Sequence, residues 1–127
     1  MTGAAAPGRL KVNPPLGRMP VLQFIMPAEL QIDEAYQRSI DAGDSQALIR
    51  KIAIHWNWDL CQPLVVARRD DGGLFVIDGQ HRLAAARLRG DIGQLPAVVL
   101  HYASPADEAA MRIALDQAHN AWLAGEV

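Results

Sequence analysis

The stretch Val76-Ile-Asp-Gly-Gln-His-Arg-Leu-Ala-Ala-Ala86 decides how this chain is read. It opens on an apolar, β-branched run that suits a buried strand and closes on strong helix formers. Asp78 is expected to cap the helix, which should run to about Arg89, and Gly90 to stop it. A helix N-terminus presents unpaired backbone N–H groups and the positive end of the helix dipole. Glycine lets a ligand approach that backbone, and an arginine one turn in can grip phosphate with two N–H groups. Gly79, Gln80, His81 and Arg82 are therefore the candidate cradle for an anion, of which phosphate is the usual one. Arg82 and Arg89 fall near one face of the helix and Arg87 elsewhere, while His81 shares a stripe with Ala84, Ala85 and Leu88.

Immediately upstream, Arg69-Asp-Asp-Gly-Gly73 is a tight-turn signal between two apolar runs, so Leu64–Ala67 and Leu74–Ile77 are predicted to pair as a hairpin. Further upstream, Leu48, Ile49, Ile52, Ala53 and Trp56 recur at the spacing of one helical face. That spacing predicts a helix over 44–56, capped by Asp44 or Ser45, with Arg50, Lys51 and His55 toward the other side. Glu34–Ala42 reads as a shorter helix with Asp33 as its cap. Val21, Leu22, Phe24 and Ile25 form an opening strand, and Pro27–Asp33 reads as a turn or one helical turn. Downstream, Leu95–His101 is a further strand. A final helix runs from Pro105 to Leu123, with Ser104 as its cap and Pro105 at its first position. The resulting order is β, short α, α, β-hairpin, α, β, α. It predicts an α+β fold in which one mixed sheet packs with helices.

With 127 residues, one cysteine and a formal net charge of −2, the chain is expected to form one domain, 21–127. The lone Cys61 cannot build a disulfide framework or a cysteine-based zinc site, which points to a reducing, cytoplasmic setting. No stretch approaches the length of an apolar membrane span, so no membrane partner is expected. Residues 1–20 hold four prolines, three glycines, Arg9, Lys11, Arg18 and no acid, and read as a flexible basic N-terminal arm. The last helix places Ala110, Met111, Ala114, Leu115, Ala118 and Trp122 at helical spacing, a stripe for core packing or a homodimer seam.

Asp78-Gly-Gln-His-Arg82 followed by alanines resembles the core motif of the ParB N-terminal / sulfiredoxin-like superfamily. The ParB branch typically reads Gly-Glu-Arg-Arg-x-Arg-Ala-Ala there. This chain matches at Gly79, Arg82, Ala85 and Ala86, and departs at Gln80, His81 and Ala84. Gln62-Pro-Leu-Val-Val66 is similar to the strand before the family's hairpin, and Ile25-Met-Pro-Ala-Glu-Leu30 to its opening strand and turn. Tyr36-Gln-Arg38 is common in relatives carrying the Asp-Gly-Gln-His-Arg version. The resemblance covers roughly residues 21 to 100. It implies a nucleotide-phosphate pocket at this helix N-terminus, with CTP or ATP as nucleotide, Mg²⁺ as accompanying ion and DNA as a partner, in a bacterial or phage setting. Arg38 would then assist Arg82.

The branches of the superfamily make different demands. A sulfiredoxin reductase needs a nucleophilic cysteine in Gly-Cys-His-Arg, and Gln80 stands in its place. The CTP-dependent clamp uses charges that Gln80, His81 and Ala84 lack, together with a downstream DNA reader. The 27 residues after Leu100 read as one helix, so the N-terminal module alone is expected. A nuclease, nucleotide hydrolase or small-molecule kinase would need acids for Mg²⁺ or for a base. Asp78 and Glu34 are the candidates, while Asp70 and Asp71 read as turn residues. His55, His81, His101 and His119 show no metal-ligand spacing. Trp56 and Trp58 could stack bases but are expected to pack. The leading expectation is a DNA-associated module that binds nucleotide or nucleic-acid phosphate at Gly79–Arg82. The alternatives are a phosphoryl-transfer enzyme in the same pocket and a non-catalytic accessory protein.

Overall fold

The structure is a computed structural model that describes residues 10–102 and 104–123. Its elements are the strands Val21–Ile25 (β1), Leu30–Gln31 (β2), Leu64–Arg68 (β3), Leu74–Asp78 (β4) and Leu95–His101 (β5), and the helices Glu34–Asp41 (α1), Gly43–Ile54 (α2), Gln80–Arg89 (α3) and Pro105–Leu123 (α4). The strands form a five-stranded mixed sheet in the order β1-β5-β3-β4-β2. The β3–β4 hairpin is antiparallel, as is β1 against β5, whereas β5 runs parallel to β3 and β2 parallel to β4. The α+β architecture read from the sequence is the one observed.

Alternation along the strands sends Leu64, Val66, Val76, Leu95, Ala97 and Val99 to one face, where they bury with Ile25, Leu30, Leu83 and Ala86. A second cluster joins the helices to one another through Ile40, Ile49, Ala53 and Ala85. Ala85 and Ala86 are fully buried because only a small side chain lets α3 lie close to both α2 and the sheet.

Several local expectations give way to tertiary demands. Asp78 is not a cap. It ends β4 opposite Val65, and Gly79 takes the cap position at φ 102°. A Cβ there would collide with Leu64 Cδ2, so aspartate or any other L side chain is strained at this position. Asp33 holds the cap position of α1, but its carboxylate accepts from Arg69 at 2.7 and 3.1 Å instead of capping. Helix α2 starts at Gly43 after Ala42, capped by neither Asp44 nor Ser45, and ends at Ile54. Trp56 thus lies beyond it, packed edge-on against Trp58 with ring centroids 5.4 Å apart. Strand β2 has only two residues, too few for a periodic signal. The turn expected over Pro27–Asp33 is confined to Pro27–Glu29 and gives way to β2, while the hairpin, the stop at Gly90 and the Ser104 cap, which accepts from the Asp107 N–H at 3.2 Å, are all present.

Helix α4 is held by charge rather than by its alanine stripe. Among its described side chains Glu108 and Arg112 are the buried ones, while Ala110, Ala114 and Ala118 are exposed and Trp122 lies outside the described side chains. Arg69, at the hairpin turn, donates to Glu108 at 2.8 and 3.2 Å as well as to Asp33, and its guanidinium lies 3.6 Å from the centre of the Phe75 ring. One arginine therefore ties the starts of α1 and α4 to the hairpin. Both acids hold the Arg69 guanidinium above its ordinary pKa, Glu108 most strongly. Arg112 stacks 3.4 Å over Tyr36, and burial pushes its pKa down.

Two outcomes follow for stability. Gly79→Ala should cost about 2 kcal/mol in urea unfolding, because it imposes both a strained φ and a clash with Leu64. An unchanged midpoint would show that the turn relaxes freely. Arg69→Ala should cost about 2 kcal/mol through lost charge-assisted bonds. It should also speed hydrogen exchange in the first turns of α4 more than in α3, and equal protection of α4 in both proteins would contradict this anchoring.

Candidate functional site

The junction between β4 and α3 is built by a bulge and a glycine. The pairing of β3 with β4 shifts between Val65 and Val66, so that Val65 faces Asp78 while Val66 faces Val76. The extra residue bends the end of β4. Gly79 then turns the chain through the left-handed region, and its carbonyl accepts the first helical bond from the Leu83 N–H at 3.1 Å. No side chain caps the helix, so the N–H groups of Gln80, His81 and Arg82 point out of its first turn at the positive end of the dipole.

The predicted cradle residues lie together here, and each side chain has a place. His81 is half-buried, with Nε2 3.2 Å from Ser45 Oγ, which ties the start of α3 to α2. Gln80 is half-exposed beside the uncapped amides. Arg82 curls back over the turn, its Nη2 lying 3.0 Å from where a Gly79 Cβ would stand, and its Nη1 donates to the Gln62 carbonyl. A guanidinium has further N–H donors, so this brace leaves it able to receive an anion. Arg87 donates to the Pro27 and Leu30 carbonyls, and burial lowers its pKa. Arg89 pairs with Asp91 at 2.9 Å and donates to the Ala53 carbonyl at 2.6 Å, and that pairing lowers the Asp91 pKa. These two arginines fasten α3 to its neighbours.

Arg82 also lines a cavity of about 390 Å³ between α2 and the segment 57–61. Its walls include Leu48, Ile52 and Trp56, with Lys51 and His55 supplying cationic or proton-donating groups. The Trp56 Nε1 donor is buried without an acceptor. Sequence reasoning turned Lys51 and His55 outward. The signal was that Lys51 and His55 fall three and seven residues after Leu48, with Ile52 at four, which puts all four on one helical stripe. Cys61 lines the same cavity, half-buried.

Arg38 and Glu34 are exposed on α1, and neither lines this cavity. Asp78 is exposed at the end of β4 and adjoins the turn. Asp71 accepts from the Gly73 N–H at 2.7 Å inside the hairpin, and Asp70 pairs with His101 at 3.0 Å. Among the described residues, no three His, Cys, Asp or Glu side chains gather into a metal-holding group. No described helix is long and apolar enough to cross a membrane.

No family model and no curated protein matches the sequence. Solved structures do match. The C-terminally truncated chromosome-partitioning protein ParB from Caulobacter crescentus, complexed with CTP-γ-S, superposes with a TM-score of 0.57 at 19% identity, over 76% of this chain and 52% of that one. Sulfiredoxin from Arabidopsis thaliana superposes with a TM-score of 0.51 at 15% identity, over 65% of this chain and 88% of that one. The match thus spans about half of the ParB chain and most of the sulfiredoxin chain. This chain, with its five-stranded mixed sheet, has a ParB/sulfiredoxin-like α+β fold.

Proposed function

We propose that this chain is a ParB-like, DNA-associated module that binds the phosphates of a nucleotide, CTP or ATP, or of nucleic acid, at Gly79–Arg82. The observation that carries the reading is the uncapped N-terminus of α3, opened by a positive-φ glycine and overhung by the Arg82 guanidinium at the edge of a cavity. The amides of Gln80 and His81 would hold phosphate, and Arg82 would neutralise it. The cavity beside Arg82 is apolar enough for a base, and Lys51 and His55 on its wall offer donors to it. The CTP-γ-S bound in the Caulobacter ParB structure supports a nucleotide in this fold. Mg²⁺ travelling with a nucleotide would be held mainly by the phosphates, with Asp78 the carboxylate that adjoins the turn. Arg38, exposed on α1, would reach the phosphates only from outside the cavity.

Calorimetric titration with CTP, ATP and ADP tests this reading. Arg82→Ala should weaken binding at least about ten-fold, the loss expected for a charge-assisted phosphate contact, while far-ultraviolet circular dichroism stays unchanged. Undiminished binding by the variant would refute the assignment.

We also propose that residues 1–20 act as a basic arm on nucleic-acid phosphate through Arg9, Lys11 and Arg18. Deleting 1–20 should reduce the slope of log affinity for DNA against log salt by about 3, since each phosphate contact contributes about 0.9. An unchanged slope would place the DNA contacts elsewhere.

A further inference from the structure

The sheet ends on two unlike edges. At one edge β2 offers two residues, Leu30 and Gln31. At the other, β1 offers five, Val21-Leu-Gln-Phe-Ile25, and among the described residues β1 pairs only with β5. An open edge is a template for another strand, and monomeric proteins blunt it with charge, proline or a bulge. None of these lies within β1: it has no charged residue, no proline and an unbroken register with β5 from Val21 to Ile25. Its alternation sends Ile25 into the core and leaves Leu22 and Phe24 on the opposite face, 73% and 69% exposed.

We propose that β1 is the interface between two copies of this chain, paired antiparallel across a two-fold axis at Gln23 to give one sheet continuous through both. The occupant follows from the strand itself. About that axis, Leu22 of one copy stands opposite Phe24 of its partner, and Phe24 opposite Leu22. The four apolar side chains then form a cluster on one face, with no like charges opposed. Gln23 meets Gln23 of the partner subunit at the centre. The two-residue β2 edge is too short to accept β1 in a head-to-tail array, so the pairing closes as a dimer rather than extending as a filament. This contact is independent of the nucleotide site on α3.

Sedimentation velocity of the full chain over a rising concentration series reads the association directly. The wild type should approach twice the chain mass. Phe24→Lys and Leu22→Lys should each sediment as monomers with unchanged circular dichroism, because both side chains are already largely exposed and their loss leaves the core intact. Ile113→Lys, on the exposed face of α4, should remain dimeric. Register is read by Gln23→Cys in a Cys61→Ser background. Directly opposed residues of an antiparallel pair lie within disulfide reach, so mild oxidation should yield a covalent dimer. A wild type that stays monomeric throughout would overturn the proposal. So would a dimer that survives Phe24→Lys, one that dissociates on Ile113→Lys, or a Gln23→Cys protein that does not cross-link.

Discussion

The turn at Gly79 is the constraint on which the rest of the structure depends. Strand β4 must end under Leu64 of its hairpin partner, and helix α3 must begin at once if Leu83 and Ala86 are to reach the core. Only a residue without a Cβ passes that point at φ 102° without strain. The same requirement prevents Asp78 from capping, leaves the first amides of α3 uncapped and brings Arg82 back over them. The geometry that suits an anion is thus a consequence of how strand and helix are joined.

Arginine does much of the remaining fastening. Arg82, Arg87 and Arg89 each donate to a backbone carbonyl on another segment, at Gln62, at Pro27 and Leu30, and at Ala53. Arg69 gathers Asp33 and Glu108 from the starts of α1 and α4. A planar fork with several donors suits such cross-links, since one side chain satisfies acceptors from separate elements. The formal net charge of −2 therefore conceals a set of arginines committed to fastening, among which Arg82 also lines the cavity beside α2.

Much of this fold was legible in the sequence where a single residue type carries a local rule. Asp71, Gly72 and Gly73 announce the hairpin, Gly90 the end of α3, and Ser104 the start of α4, and each does what its chemistry predicts within a few residues. The motif Asp78–Arg82 carried the resemblance to the ParB/sulfiredoxin-like fold. The readings that failed involve residues whose local option was outbid by a distant partner. Asp33 can cap α1, but Arg69 lies within reach and binds it twice. Ser45 can cap α2, but it meets His81 instead. The cradle residues were named from the motif alone. The cavity beside them was not, because it is closed by Lys51, His55 and Trp56 from a segment about thirty residues upstream of Arg82.

Composition, periodicity and turn chemistry by themselves determined the fold class, the order of the elements apart from β2 and where α3 begins, though not that its start is uncapped. Each of these follows from interactions within a few residues along the chain. Tertiary structure alone decided which face of α2 meets the Arg82 side, that α4 docks through Glu108 and Arg112 rather than through its alanines, and that β1 lies at an open edge. Those depend on which groups meet across the sheet, and local propensity is silent about partners that the chain brings together only on folding.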